Sequence, residues 1–147
     1  MGNSPKFIVI HHSATDGGTF ESIRRYHIQH NGFNDIAYHY LIEQDGSVHK
    51  GRKNFEEGAH TKEQGMNKKS IGICIVGNFD NTLPNDKQIK ILVNLIKDLQ
   101  HAYPIPAANI KFHRDYAINR WTGKPYKTCP GTQFTKTRLY KWMEEFK

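Results

Sequence analysis

Apolar and polar positions along the chain switch between two periods, and the switches mark out its elements. "FIVIHH", residues 7–12, is a short β-branched run closed by turn formers and predicts a buried strand. Residues 19–31 place Ile23, Tyr26, His27 and His30 at helical spacing, with Asn31-Gly32 as the stop. "AYHYLIEQDGSVHKG" reads as a hairpin: Tyr38 to Glu43, a turn at Asp45-Gly46 and a return through Val48. Residues 52–69 are polar and irregular, a loop long enough to carry function. "SIGICIVGNF" is a nearly continuous apolar strand bounded by Gly77, of the kind buried on both faces. Leu83-Pro84-Asn85 opens the longest helix, in which Ile89, Leu92, Val93, Ile96 and Leu99 form a core-facing stripe until Tyr103-Pro104 ends it. "NIKFH" is a further short strand, and residues 134–146 form a closing helix carrying Phe134, Leu139, Trp142 and Phe146. Repeats and linkers are absent. The expected fold class is α/β (mixed): one domain over residues 1–147, a central mixed β-sheet flanked by helices on its faces, with residues 1–6 a flexible N-terminus.

Composition narrows the partners. At 147 residues the chain is long enough to bury a core without disulfide support. Its 21 Lys and Arg against 14 acids give a net charge of +7, spread in pairs such as Arg24-Arg25 and Lys68-Lys69. That suits an anionic partner. No basic run with interleaved aromatics is present, so nucleic acid is not the expected partner. No stretch has signal-peptide length, and none approaches the roughly 20 apolar residues of a membrane span. The expectation is a monomer in the cytosol of the producing cell, without membrane insertion. The two cysteines, Cys74 and Cys129, read as thiols or metal ligands rather than a bridge.

Chemistry enters at the strand ends. His11 and His12 close the first strand, and His113 closes the strand of "FHRDYAINRWTGKPYKTCPG" in the same way. Cys129 lies in a Pro/Gly-rich loop where a buried structural cysteine is not expected, whereas Cys74, inside "IGICIVG", reads as small core filler. An imidazole from each strand end and one loop thiolate make a three-ligand zinc set, with the fourth position left for water. Strand alternation puts His11 on the face of Phe7 and Val9 and His12 on the other; periodicity does not say which face holds metal. "HRDYAIN" mimics a kinase catalytic loop, but Asn119 comes one residue early and no glycine-rich phosphate loop exists, which excludes kinase chemistry. Arg114 and Asp115 read instead as ties for the turn that aims His113, with Asp115 a candidate partner of that histidine.

Five blocks, "IHHSAT", "IRRYHIQHNGFNDIAYHYLIEQDGSV", "GAHTKEQGMNKKSIGICIVGNF", "FHRD" and "KTCPG", resemble in content and order the zinc-dependent N-acetylmuramoyl-L-alanine amidases, a family that includes phage amidase-type lysozymes and is shared with the peptidoglycan recognition proteins. The resemblance covers about residues 7 to 131. It implies a mixed sheet flanked by helices and Zn2+ held by His11, His113 and Cys129. It further implies catalytic assistance from Tyr38 and Lys127, and muropeptide contacts from His27, His60 and Asn67. An unperturbed tyrosine is a poor base, so Tyr38 is expected to position water or donate to the oxyanion; the general base stays open. The implied partner is bacterial peptidoglycan, and the implied reaction is hydrolysis of the amide between N-acetylmuramic acid and L-alanine. A phage or prophage endolysin is the leading expectation. A cytosolic muropeptide-recycling amidase and a non-catalytic peptidoglycan-binding module of the same fold are the alternatives.

Overall fold

A computed structural model describes residues 2–146. The elements run β1 (Phe7–His12), α1 (Phe20–Gln29), β2 (Tyr40–Ile42), β3 (Val48–Lys50), β4 (Ser70–Ile75), α2 (Asp86–Ala102), β5 (Ile110–Phe112) and α3 (Lys136–Glu145), with short 3-10 turns at Glu63–Lys68, Ala107–Asn109 and His113–Asp115. The strands form one five-stranded sheet in the order β3-β2-β4-β1-β5. β1 pairs in parallel with β4 and β5, β2 is parallel to β4, and only β3 runs antiparallel. The expected mixed sheet with flanking helices is the observed one.

Strand alternation divides the side chains. Ile8 and Ile10 of β1 and Ile71, Ile73 and Ile75 of β4 face the larger core, where they meet the α2 stripe of Ile89, Leu92, Val93, Ile96 and Leu99, together with Leu139 and Trp142 of α3. Asn85 and Gln88 begin α2 as a reciprocal capping box, and the buried Gln88 amide also donates to the Val76 carbonyl at 2.9 Å, which fixes the helix on the sheet. The other face is smaller: Leu41, Cys74 and Val76 pack with Phe20, Ile23 and Tyr38. Cys74 is therefore apolar filler as expected, directly opposite His11 in the β1–β4 register.

Several expectations need adjustment. Residues 2–6 are tied down rather than loose: Gly2 bridges Glu56, Asn3 N–H donates to Phe55 O at 2.8 Å, and the buried Asn3 side-chain Nδ2 donates to Asn54 O and Ser70 O. Met1 and Lys147 lie outside the described residues. α1 is shorter than its apolar spacing suggested, and Tyr26 and His30 stack on each other at its solvent side. Tyr38 precedes β2 instead of belonging to it, although sheet-like bonds continue through Arg52 N to Tyr38 O at 3.0 Å and His39 N to Gly72 O at 3.0 Å. The 52–69 loop contains the 3-10 turn Glu63–Lys68, interrupted by positive φ at Gln64 and Gly65.

Candidate active site

The C-terminal ends of the parallel strands β1 and β5 deliver His11 and His113 to one side of the sheet. The loop before α3 brings Cys129 to meet them, and one ligand atom from each of the three lies within 4.8 Å of the others. His11 Nδ1 is 3.5 Å from Cys129 Sγ. His12 goes the other way: its ring lies against Phe79 and its Nδ1 accepts the Phe79 N–H at 3.1 Å. The question left open by periodicity is thus answered by packing.

Two clamps hold the cysteine loop. Arg114, next to the histidine, donates its guanidinium to the carbonyls of Thr128, Gly131 and Phe134, and its backbone N–H to the Cys129 carbonyl. Asp80 accepts from Thr132 N and the Thr128 hydroxyl. Gly131 has φ +116°, and a Cβ there would sit 2.3 Å from the Phe79 backbone, so this loop position requires glycine. Asp115 ties the turn as expected, accepting from Phe112 N and Lys136 Nζ at 2.8 Å each. It is not the partner of His113. Glu63 is, with Oε1 3.2 Å from His113 Nε2.

A buried polar chain sets the state of His11. The Ser70 hydroxyl donates to Met66 O at 2.6 Å, so its oxygen is free to accept from His60 Nε2 at 3.4 Å. His60 Nδ1 then accepts the His11 Nε2–H at 2.9 Å, beside the Thr61 hydroxyl. This assignment leaves the His11 Nδ1 lone pair facing Cys129. Asn67 Oδ1 braces the same segment by accepting from His60 N and Thr61 N. Gly72 of β4 makes the room: a Cβ there would meet the His60 ring at 2.4 Å.

Burial drives the electrostatics. Desolvation holds His11 and His60 well below the ordinary histidine pKa; nearby His60, His113, His12 and Lys127 add to it at His11, and His39, His113 and Arg52 at His60. His113 is lowered by burial too, against the opposing pull of Glu63. Burial pushes the Glu63 carboxyl up, but hydrogen bonds from Tyr126 and the backbone and the nearness of His113 outweigh this and keep it below its usual range. An ionised Glu63 only accepts, so His113 Nε2 donates and its Nδ1 carries the lone pair. Burial pushes the Cys129 thiol up to about 12, moderated by a His12 backbone N–H, Lys127 and Arg114. Burial also raises Tyr38 well above 10, with the Cys74 and Cys129 thiols adding to it; the Tyr38 hydroxyl stays protonated. Two neutral imidazoles with free Nδ1 atoms and a thiol that ionises only beside a cation are a nitrogen and sulfur donor set that fits zinc.

These groups line a groove of 580 Å³, within the range of ligand sites. Tyr38 stands beside His11, ring centroids 5.2 Å apart, and also against His27 at 5.6 Å. Lys127 is exposed at the rim. His27 lines the groove with Asn31 and Phe33, its Nδ1 accepting the Ala37 N–H at 3.0 Å. His60 lies at the floor, only 6% exposed, and Asn67 lines an adjoining recess with Glu63 and Lys127. His39 is buried behind His60, donating from Nε2 to Glu56 O and accepting from Gly72 N–H, and burial lowers its pKa to about 4. Sequence reasoning missed Glu63, Thr61 and Tyr126. Only their position in or beside the quoted blocks signalled them.

The family profile described as N-acetylmuramoyl-L-alanine amidase matches residues 1–132. The endolysin of Enterobacteria phage K11 is 36% identical over 146 residues, 92% of this chain and 83% of that protein. Peptidoglycan-recognition protein 2 of Holotrichia diomphalia is 37% identical over 92 residues, 57% of this chain, and the match spans about half that relative's length, 48%. Among solved structures, N-acetylmuramoyl-L-alanine amidase LysC from Clostridium intestinale URNW superposes with a TM-score of 0.81 at 29% identity, covering 97% of this chain and 87% of that one.

Proposed function

Because the chain belongs to the N-acetylmuramoyl-L-alanine amidase family, we propose that it hydrolyses the amide joining the lactyl group of N-acetylmuramic acid to L-alanine in peptidoglycan, using zinc held by His11, His113 and Cys129, and that it acts lytically on the polymeric wall. The observation that carries this reading is the convergence of the three ligand atoms in a groove also lined by Tyr38 and Lys127. The lytic part draws on likeness to a phage endolysin over 92% of this chain and 83% of that protein, and on a net charge of +7 suited to an anionic wall.

Bound there, zinc supplies a Lewis acid and a water nucleophile available near neutral pH. The chain's own residues do the rest. Tyr38, kept protonated by burial, donates a hydrogen bond to the substrate oxygen as charge develops on it. Lys127 brings a cation to the same side of the groove, two residues from Cys129. His27, Asn31 and Phe33 form the wall along which the muropeptide lies. His60, Thr61 and Asn67 act from below, holding His11 in register.

Intact sacculi and soluble anhydro-muropeptides, offered side by side with products identified by mass, test the proposal. Clearing of turbid sacculi with new L-alanine amino termini and no new reducing ends is the expected result. Cleavage of the soluble substrate alone replaces the lytic reading with muropeptide recycling. New reducing ends overturn the amidase reading.

A further inference from the structure

Glu63 belongs neither to the ligand set nor to the groups assigned to catalysis, yet its side chain is only 13% exposed. It enters from the 3-10 turn Glu63–Lys68, and its two oxygens are engaged from opposite sides. Oε1 lies 3.2 Å from His113 Nε2, and Oε2 receives the Tyr126 hydroxyl. Tyr126 comes from the loop after β5, whose backbone is held by Tyr126 N to Ala117 O at 2.8 Å and by a bridge between Ile118 and Pro125. The only other carboxylate on the His113 turn, Asp115, is occupied by Phe112 N and Lys136. No second acceptor among the described residues is hydrogen-bonded to His113 Nε2.

We propose that Glu63 is a positioning residue for the metal: it holds His113 in the Nε2–H form with Nδ1 as the ligand atom, and Tyr126 in turn fixes Glu63 from the groove wall. A histidine whose remote N–H is held by a carboxylate has one tautomer and one ring orientation, and loss of such a partner typically weakens metal binding about 10- to 100-fold. The arrangement links a metal ligand to the 118–126 loop through one side chain. It rests on the zinc reading above.

The test uses the full-length protein and zinc, with affinity measured by competition against a chelator, and nitrogen-15 NMR of the histidines in the zinc-free state. Wild type should show His113 protonated on Nε2. Glu63→Ala should weaken zinc binding about 10- to 100-fold, Glu63→Gln less because its amide oxygen still accepts, and Tyr126→Phe less again. Circular dichroism of each zinc-free variant separates weakened binding from lost folding, and recovery in Glu63→Gln relative to Glu63→Ala marks a hydrogen-bonding role that packing alone would not produce. Zinc bound equally tightly by wild type and Glu63→Ala overturns this inference alone, as does a wild-type His113 protonated on Nδ1. A wild type that takes up no zinc overturns both this inference and the zinc reading.

Discussion

Replacing Gly72 with alanine tests whether the buried histidine chain governs the metal site. The added Cβ would lie 2.4 Å from His60 Cδ2 and 2.6 Å from Cγ, where ordinary contact begins at 3.4 Å. The ring must therefore retreat by about 1 Å. His60 Nδ1 sits 2.9 Å from His11 Nε2, and a ring displaced by that much no longer presents its Nδ1 lone pair in line with the His11 N–H. His11 then loses the partner that keeps its Nδ1 free. Overpacking should cost about 1–3 kcal/mol of stability, and zinc affinity should fall about 10-fold or more. Chelator competition and urea unfolding measure the two effects. The double variant Gly72→Ala/His60→Ala separates them: removing the ring relieves the clash and restores stability, while zinc affinity stays low. Wild-type zinc affinity in Gly72→Ala would refute the reasoning, because the clash would then be absorbed without reaching His11.

Cys129→Ser should lose most of its zinc by elemental analysis, since a neutral hydroxyl replaces the thiolate, whereas Cys74→Ala should keep it and lose on the order of 1 kcal/mol of stability. Tyr38→Phe and Lys127→Ala should retain the metal and the fold while turnover falls about 100-fold, read from released amino termini; unchanged rates would confine catalysis to the metal and its water. His39, at about 4 in the folded state against 6.5 unfolded, binds fewer protons folded than unfolded between those values. Its contribution is full above pH 6.5 and lost as pH falls toward 4, on the order of 3 kcal/mol. Burial lowers His11, His60 and His113 too, so they act in the same sense. Denaturant unfolding of the zinc-free protein at stepped pH should show this slope, and a flat profile would remove it.

What could be read beforehand follows the range of the forces involved. The α2 stripe and the uninterrupted apolar run of β4 are local patterns, and both appear where periodicity puts them. The cluster of His11, His113 and Cys129 joins distant segments, and family resemblance rather than spacing brought them together. Strand alternation separated His11 from His12 without choosing between them; Phe79, packed against the His12 ring, makes the choice. Glu63 sits in an irregular polar loop with no period to read, and its role exists only because that loop folds against the end of β5. His60 reads as a polar loop residue until Gly72 opens a space for its ring beneath His11. The N-terminal residues looked unstructured because their partners, Phe55 and Lys68, are remote in sequence.

The Arg114 clamp places Cys129 against His11 across a separation of 118 residues. An ion shared by the two would act as a cross-link as well as a reagent, closing most of the polypeptide into one ring. By chain-entropy reasoning, a covalent link around a 100-residue loop removes about 4.7 kcal/mol of denatured-state freedom, and metal clips that close long loops follow the same logic. Taking up the ion would therefore tether the first strand to the last loop and leave the α2 core almost untouched. Occupancy would then register in the cooperativity of unfolding of the whole chain, so that chelation loosens the connection between its two ends before it disturbs the packing between them.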